Sequence, residues 1–187
     1  MQFSFAFVAA VLPFLASAAP TLVPRDESST PYTVTSLRSG SAIQYSTLVA
    51  SGTHFYLGSS NSTAVLGTDN NLNVAVPGGQ QIYLETTGAL RYTVPHSGAI
   101  PSDAAANPII YTASEQGSSS VFTGSISTSS PGSTGLIACP VSGYNPAGAY
   151  QVYANTDDLA APSGNNEDCL SFEAVTLAYN GTTAWEY

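Results

Sequence analysis

The feature that most constrains the fold is a series of short segments in which apolar and polar residues alternate. Such period-2 alternation is the pattern of half-buried strands, and the Gly, Pro and Ser clusters between the segments are turn formers. A sustained apolar stripe of helical period is missing from the sequence. The segments predicted as strands are residues 32–37, 42–49, 72–76, 81–85, 89–94, 109–111, 136–141, 149–154 and 170–179.

This pattern predicts an all-β fold of about ten short antiparallel strands. We expect a single β-sandwich or closed barrel stapled by one disulfide. A three-fold β-trefoil is the alternative, because residues 42–45, 81–84 and 149–153 are weakly similar to one another. Their uneven spacing gives no preference for it.

Charge composition excludes whole classes of partner. The chain has no lysine, and its three arginines (Arg25, Arg38 and Arg91) face twelve acidic residues, which gives a formal net charge of −9. Nucleic acids and anionic membranes are bound through clusters of Lys and Arg. The sequence therefore predicts no nucleic-acid partner and no attraction to an anionic membrane surface.

The N-terminal residues predict export from the cell. An uncharged apolar run at residues 3–15 is too short to cross a bilayer, and Ala16 and Ala18 fit the small-residue rule for signal-peptide cleavage. We assign residues 1–18 to a signal peptide, 19–31 to a flexible leader with a weak processing signal at Arg25, and 32–187 to one domain. A hydrophobic anchor signal is not found, so we expect a secreted protein, extracellular or in a cell wall, with no membrane anchor.

Two kinds of covalent feature follow from export. Cys139 and Cys169 are the only cysteines, and an oxidising compartment predicts that they form one disulfide. Asn61-Ser-Thr and Asn180-Gly-Thr are glycosylation sequons in polar, turn-like stretches. Asn61 and Asn180 are the predicted glycan sites.

Catalytic residues are not predicted. His54 and His96 have no further His, Cys or acid at ligand spacing, and common hydrolase motifs do not occur. A glycosidase needs only two carboxylates, and Glu85 and Glu173 are the acids on predicted strands. Because Glu85 is equally explained as a solvent-facing strand residue, this pair carries little weight.

The acidic loop, residues 155–168, is the strongest candidate for a metal site. It offers many oxygen atoms, which calcium prefers as ligands, but its spacing matches no calcium-binding loop. We expect solvated acids beside a disulfide, with no metal and no cofactor.

Several motifs in order resemble a known family. They are residues 39–45 (SGSAIQY), 136–140 (LIACP), 148–154 (GAYQVYA) and 162–165 (PSGN), followed by Asp168-Cys169. The sequence resembles the phialide-type cell-wall proteins of filamentous fungi (PhiA-like), a family that includes IgE-binding allergens. The resemblance implies a secreted, wall-associated protein linked to the development of conidium-bearing cells, without enzymatic activity.

Three functions remain open at this stage. The first is a structural protein of the cell wall or extracellular space, with cell-wall polysaccharide as its expected partner and its oligomeric state undetermined. The second is a carbohydrate- or ligand-binding module in which Tyr150 and Tyr153 stack on sugar rings. The third is a secreted glycoside hydrolase that uses paired acids.

Overall fold

The computed structural model describes residues 29–115, 121–142 and 148–187. The predicted signal peptide and residues 19–28 of the leader lie outside these ranges. Within them no helix combines the length and the hydrophobicity that a bilayer crossing requires. The described elements are a single-turn 3-10 helix, Asn166–Asp168, and twelve strands: β1 Pro31–Leu37, β2 Val49–Ser51, β3 His54–Leu57, β4 Val65–Gly67, β5 Ile82–Leu84, β6 Leu90–Tyr92, β7 Ala105–Ala106, β8 Ile109–Ala113, β9 Gly124–Thr128, β10 Leu136–Pro140, β11 Tyr150–Ala154 and β12 Leu170–Ala178.

The strands form one antiparallel sheet in the spatial order β4-β1-β12-β10-β11-β3-β6-β5-β7. In addition, β2 pairs with β3, and the β8–β9 hairpin joins the sheet through β12. The all-β, antiparallel prediction is confirmed. The closed barrel and the trefoil are wrong as alternatives, because the described sheet is open, with β4 and β7 at the ends of this order.

The longest strand, β12, joins two halves of the sheet. Its C-terminal residues pair with β1 and β9, whereas Leu170–Phe172 pair with β10. Each half contributes inward-facing residues to one hydrophobic core, which includes Val34, Leu66 and Ile126 from the first half and Phe55, Leu84, Leu90 and Val152 from the second. The two halves therefore cover a shared core, as in a sandwich.

Two predicted strands are wrong, at residues 42–49 and 72–76. Residues 41–45 form turns, because the buried Ser36 donates its backbone N–H to Ser46 O and accepts the N–H of Tyr45, both at 2.9 Å. In residues 72–76 the alternation does bury Leu72, Val74 and Val76. Their backbone, however, bonds to separate segments, including residues 184 and 185, instead of to one neighbouring strand.

A second, smaller cluster lies on the outer face of the sheet. It comprises Ala89, Ile137, Cys139, Tyr153 and Leu159. The acidic loop covers these side chains through the buried Leu159, whose carbonyl accepts a hydrogen bond from Asn166 Nδ2 at 2.8 Å. Cys139, which is fully buried in β10, is bonded to Cys169 after the 3-10 helix. The predicted disulfide is confirmed, and it holds this loop against the sheet.

We expect the Cys139→Ala/Cys169→Ala double variant to lose about 3–4 kcal/mol of unfolding free energy, since the disulfide closes a long loop in the unfolded chain. Urea unfolding measures this loss. The parent protein under reducing conditions is the matched control, and its unfolding curve should move towards that of the double variant. Two alkylatable thiols in the native, freshly secreted protein would contradict the assignment.

Candidate functional site

Polar side chains gather on the outer face of the sheet where β3, β5, β6 and β11 meet. In β3 the alternation sends Phe55 and Leu57 into the core and leaves His54 on the other face. The register then places His54 opposite Arg91 of β6. Glu85, directly after β5, and Tyr153 of β11 complete this group, which we call the outer-face cluster.

Arg91 is the centre of the outer-face cluster. Its Nη1 donates to Glu85 Oε1 at 2.9 Å, and its Nη2 donates to Thr53 Oγ1 at 2.8 Å. The two ion-paired side chains are 25% and 29% exposed, so solvent weakens the pair. Arg91 Nε is buried and has no hydrogen-bond partner in the part of the chain described. The guanidinium therefore ties the end of β5 to the β2–β3 turn.

The β2–β3 turn is conformationally costly at Thr53. Gly52 and Thr53 have φ of 55° and 66°, the left-handed pair that a two-residue hairpin turn requires. Glycine adopts this conformation freely, but a β-branched residue rarely does. The bond from Arg91 to the Thr53 hydroxyl supplies a local reason for threonine at this position.

His54 is a hydrogen-bonded imidazole whose pKa is lowered in the folded protein. Its Nδ1 lies 2.8 Å from Gly52 O, and a carbonyl only accepts, so Nδ1 carries the proton. Burial is the main cause that lowers the pKa of His54. The Gly52 carbonyl and Glu85 act in the opposite direction, whereas Arg91 adds to the lowering. The ring also lies 6.1 Å from that of Tyr56.

The two tyrosines proposed for sugar stacking lie on opposite sides of the sheet. Tyr150 packs against the main core, whereas Tyr153 is 4% exposed and belongs to the smaller hydrophobic cluster on the outer face. Burial, with Tyr56 and Glu85 nearby, raises the pKa of Tyr153 to about 12, and Arg91 opposes the shift. Residues three apart on a strand face opposite ways. These two rings therefore do not form a shared stacking platform.

The structure does not bring the two candidate strand acids together. Glu173 is exposed on β12 opposite Leu37, and four strands lie between β12 and β5 in the sheet order. Glu85 instead shares a cavity of about 210 Å³ with Asp103 and Asp158. The position of Asp103 in a loop of small residues and prolines gave no sequence signal for this proximity.

The remaining predicted sites lie on the surface. Asp157, Asp158, Glu167 and Asp168 of the acidic loop are exposed. Among the described residues no three His, Cys, Asp or Glu side chains are arranged to hold a metal ion. His96 is exposed in a turn, and the asparagines of both sequons, Asn61 and Asn180, are exposed as well. Glycosylation at these two positions stays a prediction.

The contacts of the acidic loop predict a contrast between its charges and its apolar anchor. The Asp157→Asn/Asp158→Asn double variant should differ in Tm from the parent by no more than about one degree, because exposed charges are screened by water. Leu159→Ala should lower the free energy of unfolding by about 2 kcal/mol, since it removes a side chain that belongs to the smaller hydrophobic cluster around Cys139. Thermal and urea unfolding compare the two variants. A calcium-dependent Tm in the parent that the Asp variant lacks would contradict this account.

The environment of His54 predicts a pH dependence of stability. A histidine whose pKa is lower in the folded than in the unfolded protein does not change the free energy of unfolding at high pH. It lowers that free energy as the pH falls below the unfolded pKa of 6.5. We therefore expect the Tm of His54→Gln to fall less than that of the parent between about pH 7 and pH 5. His96→Gln, at an exposed position, is the matched control and should follow the parent. Identical pH profiles for parent and His54→Gln would contradict the assignment.

An uncharacterized secreted protein of Arthroderma benhamiae is 40% identical to this chain over 131 residues, which cover 68% of this chain and 62% of that protein. This chain thus spans less than two thirds of the length of that relative. No solved structure matches. The PhiA-like secreted protein family matches residues 32–187, which confirms the resemblance inferred from the motifs. The chain therefore belongs to the PhiA-like secreted proteins.

Proposed function

We propose that this protein is a non-catalytic structural component of the fungal extracellular space, held in the cell wall by contact with polysaccharide. The observation that carries the proposal is the separation of the two candidate strand acids, Glu85 and Glu173. Glu85 Oε1 accepts a hydrogen bond from Arg91 at 2.9 Å, and Glu173 is exposed on β12, which four strands separate from β5 in the sheet. A glycosidase requires its two carboxyl groups on either side of one scissile bond.

The surface and the covalent framework support a structural role. A disulfide between a sheet strand and a surface loop suits the oxidising exterior. The exposed sequon asparagines, Asn61 and Asn180, stand in turn segments where glycans would not disturb the sheet. The link to conidium-bearing cells rests on the resemblance alone. Deleting the gene in the producing fungus and counting conidia, together with fractionation of walls and medium, tests both the link and the location.

A second candidate function is hydrolysis at the cavity that Glu85, Asp103 and Asp158 share. The observation that favours it is that three acidic residues line one cavity of about 210 Å³. Retaining glycosidases hold two carboxyls about 5–5.5 Å apart, and inverting ones about 6.5–9.5 Å. The ion pair with Arg91 counts against Glu85 as the general acid, because Glu85 Oε1 already accepts a hydrogen bond from Arg91 Nη1.

We expect purified protein to release no reducing sugar from β-glucan or chitin above the background of a heat-denatured sample. Glu85→Gln, Asp103→Asn and Glu173→Gln variants should be indistinguishable from the parent in the same assay. Glu173→Gln is the internal control, because Glu173 lies away from the cavity lining. Sugar release by the parent that Glu85→Gln or Asp103→Asn abolishes, with Glu173→Gln active, would establish the hydrolase instead.

A further inference from the structure

Tyr45 has the most exposed aromatic side chain in the described part of the protein. It is 70% exposed, followed by Trp185 at 60%. Its side chain makes no hydrogen bond or ring contact with the described residues. Its packing therefore gives no reason for an aromatic residue at this position.

The backbone at Tyr45 makes the choice of residue more unusual. Its φ is 61°, in the left-handed region that bulky L-residues rarely occupy. Glycine would adopt this conformation without strain. Strained backbone that the surrounding structure enforces is typical of functional positions.

The loop that carries Tyr45, residues 38–46, is firmly attached to the core. Ser36 is fully buried, and its hydroxyl donates to the carbonyls of Ile43 and Ser46. Ile43 is itself fully buried in the core. Tyr45 N–H donates to Ser36 O at 2.9 Å. These contacts fix the backbone from both sides and present the ring to solvent, so little conformational entropy is lost when a ligand binds.

The surroundings of Tyr45 indicate the chemistry of that ligand. Its neighbours along the loop are neutral hydroxyl and amide side chains, including Ser41, Gln44 and Ser46. The one cation, Arg38, directs Nη1 to the carbonyl of Ser171. A flat, exposed ring on a loop of mainly uncharged side chains suits the apolar face and the hydroxyls of a pyranose. A protein partner would need a larger apolar centre than a single ring.

We propose that Tyr45 and loop 38–46 form a stacking site for a neutral polysaccharide of pyranose units. This inference rests on the proposed function and gives it a location: the loop is the point where the protein contacts the wall polymer. The ring of Tyr45 covers one sugar unit. Gln44 Oε1 and Ser41 Oγ already bond to the backbone of Arg38, so the Ser46 hydroxyl and the Gln44 amide nitrogen are the groups that bond to the sugar hydroxyls. Both glucan and chitin have the required neutral pyranose chemistry.

The test is binding of the purified full-length secreted protein to insoluble β-glucan and, separately, to insoluble chitin. We expect the parent to bind at least one polymer, and Tyr45→Gly to bind it about tenfold more weakly because the stacked area is lost. Tyr45→Phe keeps the ring and should bind like the parent. Trp185→Ala removes the other exposed aromatic side chain and should also bind like the parent. Asn is unsuitable at position 45, because it would create a sequon with Thr47.

Thermal unfolding of the same variants separates a binding role from a structural one. Tyr45→Gly should have a Tm equal to or above that of the parent, since glycine relieves the left-handed strain. A fall of several degrees would mean that the ring stabilises the fold and would overturn the proposal. Unchanged binding by Tyr45→Gly would overturn the site but leave wall association standing. Failure of the parent to bind either polymer would overturn both.

Discussion

The pairing of β12 with strands from both halves is the constraint on which the rest of the structure depends. Residues 173–178 pair with β1 and Leu170–Phe172 with β10, so a single strand sets the register of both halves. The hairpin β8–β9 is attached through the same strand at Ala174–Thr176. Because side chains alternate across a strand, a slip of one residue in β12 would turn its core-facing side chains to the outer face in both halves.

The packing on the outer face of the sheet depends in turn on the orientation of β10, which pairs with β12. Leu136 and Ala138 face the main core, so Ile137 and Cys139 necessarily face outward. Outward apolar residues need a cover, and the acidic loop provides it through Leu159. The disulfide from Cys139 holds that cover in place. The loop can therefore carry exposed acids, as the sequence predicts, while Leu159, for which the sequence analysis made no prediction, is buried as its anchor.

The sequence predicts those structural features that a long local pattern or the residue composition determines. The alternation at residues 170–179 predicted β12, and the two cysteines allowed only one intramolecular disulfide. The prediction failed at residues 42–49, because the hydroxyl and backbone of Ser36, several residues away, determine that turn. The approach of Asp103 to Glu85 depends on the short β5–β7 pairing, which involves two alanines with no distinctive pattern. The separation of Tyr150 and Tyr153 could have been predicted, since their odd spacing on one strand places them on opposite faces.

Among the non-glycine residues with positive φ, Asn70 and Thr53 have side-chain contacts within the fold, whereas Tyr45 and the exposed His96 have none with the described residues. Asn70 has φ of 61°, and its side chain bonds to both the N–H and the carbonyl of Ile109, as a neighbouring strand would. Thr53 has φ of 66° and accepts a hydrogen bond from Arg91. In both cases a side-chain contact within the fold accounts for the residue. The side chain of Tyr45 points to solvent, so the physical reason for its aromatic ring is to be sought in a molecule outside the chain.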